Sequence, residues 1–131
     1  MTPELTSLAL IGLLHAALFS AMAVSSNRAL PLRQTLGPRD TPLETDLSGK
    51  TARIYRTLRN NTENLGFFTA AVAVVELSDS NTTVTAALAV IYVMARVLYV
   101  PAYVFGWVPW RSVFFCIGFL ATTFMFLAAL L

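Results

Sequence analysis

The stretch Arg53-Ile54-Tyr55-Arg56-Thr57-Leu58-Arg59-Asn60-Asn61-Thr62-Glu63-Asn64-Leu65-Gly66-Phe67-Phe68 decides how often this chain crosses a membrane. Taken alone it is too polar for lipid. The clean apolar run that follows, Leu65 to Val75, has only eleven residues, whereas a spanning helix needs roughly 20. The segment spans only if the turns carrying Arg59, Asn60 and Glu63 enter the membrane with it. Spacing supports one continuous helix. Arg53, Arg56, Asn60, Glu63 and Phe67 recur at intervals of 3, 4, 3 and 4, which places them on one α-helical face, with Arg59 on a neighbouring face.

Outward from this stretch the spans are plainer. Leu5 to Val24 is uncharged, Thr83 to Val104 is broken only by Arg96, and Val113 to Leu131 is again uncharged. The expected fold is therefore all-α, an integral membrane four-helix bundle forming a single domain over 1–131. Its helices fall at about 5–26, 52–77, 82–104 and 109–131. The polar connector at 27–51 carries Pro31, Gly37-Pro38, Pro42 and Gly49, which break regular structure.

Composition agrees. Apolar residues make up 56% of the 131 and charged ones 12%, with a mean hydropathy of +0.67; an ordinary soluble domain carries about 25% charged residues. A disordered chain, a nucleic-acid binder with a basic surface and a water-soluble single-core enzyme are excluded. The single cysteine, Cys116, rules out an internal disulfide and a multi-cysteine metal site, and no metal is expected. Seven of the nine basic residues lie within 28–63. With four spans, all nine Lys and Arg fall on or toward the side that holds the 27–51 loop. The positive-inside rule makes that side cytoplasmic and puts both termini on the other. Trp107 and Trp110 suit interfacial anchors.

A second polar stripe lies in the third span: Tyr92, Arg96, Tyr99 and Tyr103, spaced 4, 3 and 4. Pro109-Trp110-Arg111-Ser112 adds a cation and a hydroxyl at the mouth of the fourth. Singly, Arg53 or Arg96 could snorkel to water, and the loop residues Arg33, Arg39 and Asp40 could help bind an anionic ligand or face water and lipid headgroups, the second reading being favoured. The ensemble resists that reading. A carboxylate at a helix centre costs about 2.5–3.5 kcal/mol on insertion scales, so Glu63 calls for a cation among Arg56, Arg59, Arg96 and Arg111. Positive charge is then left over. A buried positive surplus ringed by tyrosines and an asparagine is a socket for an anion, open to the cytoplasm. His15, in mid-span, is expected to make an interhelical hydrogen bond. Cys116, in an apolar run, is expected to stay an inert thiol.

Arg53-x-x-Arg56-x-x-Arg59-Asn60-x-x-Glu63 followed by Phe67-Phe68 resembles the second-helix signature of the MAPEG superfamily, membrane-associated proteins in eicosanoid and glutathione metabolism. Arg96-x-x-Tyr99-x-x-x-Tyr103 resembles that family's third helix, and Pro109-Trp110-Arg111-Ser112-Val113 the start of its fourth. The last two are most similar to the microsomal prostaglandin E synthase branch. The resemblance implies a homotrimer holding glutathione between subunits near the cytoplasmic face. Arg53, Arg56, Arg59, Asn60, Glu63, Arg96, Tyr99 and Tyr103 would bind it, Arg111 would stabilise its thiolate, and Ser112 would assist. This chain departs from the branch at Tyr99, where a histidine stands, and at Phe115, where a tyrosine does. The stretch between Tyr103 and Arg111 is also one residue shorter.

The chemistry implied is a glutathione-dependent transferase, peroxidase or isomerase acting on a lipophilic small molecule from the bilayer. A thiol of pKa near 8.5 is mostly protonated at neutral pH, and a neighbouring guanidinium lowers that value. The competing reading is a non-catalytic lipid-binding or scaffold subunit of a membrane assembly. A small multidrug-type transporter is disfavoured, because Glu63 sits among arginines that would repel cationic drugs.

Overall fold

Local signals set the helix ends in the computed structural model, which describes residues 1–131. Helix α1 (Pro3–Ala29) opens on Thr2, whose hydroxyl accepts from the Leu5 amide; Pro3 takes a first-turn position where its missing N–H is not needed. A one-turn helix α2 (Leu32–Thr35) and a 3₁₀ turn at Leu43–Asp46 are the only regular pieces of the connector. Helix α3 (Gly49–Leu77) runs unbroken for 29 residues, so the polar turns and the apolar run are one rod. Helix α4 (Thr83–Val104) begins in a reciprocal capping box between Thr82 and Thr85. Helix α5 (Trp110–Leu130) completes the fold.

Contacts between helix ends fix the direction of each rod. Thr85 Oγ1 donates to Glu4 Oε1 at 2.5 Å, and Thr2 donates to Glu76, so the start of α1, the end of α3 and the start of α4 meet. At the other end, Arg53 Nη1 donates to the Val104 carbonyl at 3.3 Å, joining the start of α3 to the end of α4. Successive long helices therefore run antiparallel. Helix α3 packs against α1, α4 and α5, while α4 and α5 share the most extensive interface.

The apolar core occupies the half of the molecule away from the arginines. It comprises Ile11, Phe68, Ala71, Val72, Val75, Ala89, Tyr92, Ala121 and Met125. Phe68 and Tyr92 stack with centroids 3.9 Å apart and rings 9° from parallel. A smaller cluster of Leu18, Met22 and Leu58 lies toward the basic end. Only 28 of 131 residues are buried, and Leu13, Phe19, Val84 and Met94 are more than half exposed. Apolar surface this extensive is tolerated when lipid is the solvent.

Three helices, α1, α4 and α5, are long and apolar enough to cross a membrane. Four such spans are expected from sequence, and α3 is the exception. Even its last 18 residues, 60–77, take in Asn60, Asn61, Glu63 and Asn64. The turn between α4 and α5 depends on Gly106, which has a positive φ of 70°. A Cβ there would lie 2.9 Å from Arg53 Nη1, so the guanidinium that caps α4 fits only over a bare backbone.

Candidate functional site

Arg96 is the pivot of the polar half. It is 1% exposed and forms no ion pair; the single salt bridge of the chain joins Arg59 to Glu44. Its hydrogen bonds go to two consecutive amides of α3. Nη2 donates to Asn60 Oδ1 at 3.1 Å and to Asn61 Oδ1 at 3.2 Å, and Nε reaches Asn61 Oδ1 at 3.4 Å. Its guanidinium carbon lies 4.4 Å from the centroid of the Tyr99 ring, adding a cation–π contact. A buried charge held by dipoles and a ring, with no carboxylate partner, leaves its field uncancelled for whatever lies beside it.

Beside it lies a cavity of about 320 Å³ lined by Asn60, Tyr99, Tyr103, Arg111, Ser112, Phe115 and Cys116. Pro101 sits in α4 between the two tyrosines, whose rings meet edge to face at 5.6 Å. The Arg111 guanidinium lies 5.1 Å from the Tyr103 ring centroid. Arg111 and Ser112 belong to the first turn of α5, where the helix dipole favours negative charge.

The wall is rich in donors. A guanidinium has no acceptor, so the Asn60 oxygen is committed to Arg96 and its NH2 group is left for the cavity. Arg111 can only donate, and the hydroxyls of Ser112, Tyr99 and Tyr103 can rotate to donate. Phe115 and Cys116 supply an apolar side.

A second cavity, of about 260 Å³, lies on another flank of α3. Met22, Arg39, Tyr55, Leu58, Arg59, Thr62 and Glu63 line it. The expected stripe is thus divided: Asn60 faces the first cavity, Glu63 the second, and Phe67 packs on Phe119 and Phe126. Glu63 is exposed and has no ion-pair partner. Of the four cations expected to be available to it, Arg56, Arg59, Arg96 and Arg111, none pairs with it, and Arg59 is drawn to Glu44 of the connector at 2.7 Å. Arg53 caps α4 and lines neither cavity. Arg56 is half-buried and makes no hydrogen bond or ion pair.

Sequence reasoning overlooked two participants. Asn61 is fully buried between Arg96 and His15, yet beside Asn60 it carried no separate signal. Glu44 was one of four acidic residues in a basic segment, without the spacing to mark a partner. Arg39, for which solvation is favoured over a part in ligand binding, lines the second cavity. Cys116, expected in an inert apolar run, reaches the first cavity. His15 does make an interhelical contact, Nδ1 lying 3.3 Å from Asn61 Nδ2.

Fold and surface together define an all-helical integral membrane protein with a donor-lined cleft at its basic end. The family model described as MAPEG family matches residues 5–131, and the chain belongs to that family. Membership makes it a membrane protein of eicosanoid and glutathione metabolism. No curated protein matches the chain.

Proposed function

We propose that this protein is a glutathione-dependent membrane enzyme of the transferase, peroxidase or isomerase type, working as a homotrimer whose subunits cross the bilayer four times. The observation that carries the reading is the donor-rich wall around Arg111. A tripeptide with two carboxylates and an ionisable thiol supplies the acceptors and negative charge that such a wall needs. Arg111 stabilises the thiolate and Ser112 donates to it, while the uncancelled charge of Arg96 reinforces both. The thiol proton passes to bulk water, and the sulfur attacks an apolar electrophile arriving laterally from the bilayer. Phe115 and Cys116 provide the greasy side for that second substrate. In this respect the site follows the prostaglandin synthase branch.

The trimer explains the division of the stripe. The two cavities share no residue, so neither alone presents the whole binding set. When the α4–α5 flank of one subunit meets the α1–α3 flank of its neighbour, Asn60, Tyr99, Tyr103 and Arg111 face Arg59 and Glu63. Glu63 then receives the peptide's ammonium group, and Arg56 and Arg59 its carboxylates. The connector and the cleft lie on the cytoplasmic side, both termini on the other, with α3 crossing because its polar face is turned toward protein rather than lipid.

Ultraviolet difference spectroscopy during a glutathione titration in detergent tests this. A thiolate band is expected in the parent and lost in Arg111→Ala, with the oligomer unchanged by size-exclusion chromatography. A parent that gives no thiolate band overturns the enzyme reading.

A further inference from the structure

We propose that His15, on α1 and outside both cavities, is a positioning residue that fixes the hydrogen-bond polarity of the first cavity through Asn61. The inference deepens the glutathione reading and rests on it for its affinity arm alone.

Proton counting carries the argument. Arg96 has five N–H groups and no acceptor, so the Asn61 atom facing it is the amide oxygen, at 3.2 Å from Nη2 and 3.4 Å from Nε. The opposite end of that amide is its NH2, which can only donate. It lies 3.3 Å from His15 Nδ1. His15 Nδ1 must therefore offer its lone pair, and the ring proton sits on Nε2. Each link constrains the next: the His15 lone pair orients Asn61, Asn61 anchors Arg96, and Arg96 holds the Asn60 oxygen so that the Asn60 NH2 remains for the ligand.

Asn61 is 0% exposed, so bulk water does not replace a lost acceptor there. Without His15 the Asn61 NH2 is buried with no acceptor where Nδ1 stood, so the side chain gains by turning away toward another partner. Its oxygen then leaves the guanidinium, and the restraint that Arg96 places on Asn60 loosens with it. The residue contacts no ligand in this scheme. Its effect is exerted entirely through orientation.

The chain contains one histidine, so a ¹⁵N-histidine-labelled sample reports on His15 alone. The expected result is the long-range ¹⁵N–¹H pattern of the Nε2–H tautomer; an Nδ1–H pattern overturns the proposal. Glutathione affinity is then compared across the parent, His15→Gln and His15→Leu by calorimetry in detergent. Gln retains an acceptor and should stay within about threefold of the parent; Leu should lose about tenfold, the order expected for one interaction with a charged network. Equal weakening in both variants, or none in Leu, overturns the proposal. A parent that binds no glutathione overturns the preceding functional reading instead. The decision here then falls to the tautomer and to the Arg96 Nε–H resonance, which should move in His15→Leu and hold in His15→Gln. Should the Leu variant fail to fold, the parent tautomer and the Gln variant decide it.

Discussion

Arg96 of α4 and Asn60 of α3 meet with the guanidinium donating to the amide oxygen at 3.1 Å. Because Asn60 also lines the cleft, that bond sets which end of the amide a ligand encounters. Arg96 itself stays out of the lining and acts as the scaffold for a donor. A donor-lined cleft of this kind owes its polarity to a residue behind the wall as much as to those on it.

Asn60→Asp replaces the outward-facing donor with an acceptor and gives Arg96 a counter-charge. Glutathione binding should weaken by about tenfold or more, since bonds to charged groups are worth roughly 1.5–3 kcal/mol. Calorimetry on the detergent-solubilised protein would show it. Unchanged affinity would mean that Asn60 does not donate to the ligand.

Mixed oligomers offer a direct check on shared sites. Arg111→Ala damages the α4–α5 flank and Glu63→Gln the α1–α3 flank, so each homo-oligomer should lack the thiolate band. Co-expression should restore part of it, because some interfaces then pair two intact flanks. No recovery in co-purified hetero-oligomers would place the whole site within one subunit.

Phe68→Ala removes a fully buried ring stacked on Tyr92. A loss of about 3–5 kcal/mol is expected from the cavity and the missing contact area. Thermal unfolding in detergent should show a lower midpoint, while any protein still folded should keep its glutathione affinity, because the core lies on the far side of Arg96 from the cleft.

Glu44→Gln breaks the exposed bridge to Arg59, for which a stability change below about 1 kcal/mol is expected. Arg59 is released toward the second cavity, so glutathione should bind severalfold more tightly at low ionic strength, and the gain should shrink as salt is added. A salt-independent affinity would show that Arg59 takes no part.

Helix placement was legible because the apolar runs and the glycines and prolines of the connector are local signals. The four long helices lie within a few residues of their expected limits. The continuity of α3 was legible too, from the 3-and-4 spacing of its polar face. What the spacing could not convey was how finely that face is partitioned. Asn60 and Glu63 are neighbours on a helical wheel, yet α4 and α5 press on one edge while α1 and the connector frame the other. The pairing of Arg59 with Glu44 depends on how an irregular segment returns over α3, and nothing periodic encodes that path. Arg96 and Asn60 were both legible as polar groups facing a common socket; the bond between them and the part of Asn61 were not, because an asparagine beside an arginine motif looks like surface polarity until a second helix is laid across it.

The docking of Arg53 over Gly106 couples two sites 53 positions apart in the chain. Any larger residue at 106 must displace the guanidinium and adopt a backbone angle that side chains resist. Across descendants of a common ancestor the two positions should therefore drift as a pair, an arginine at one accompanied by glycine at the other and shorter residues arriving together. Such covariation would trace where the first turn of α3 seats against the hairpin joining the last two helices.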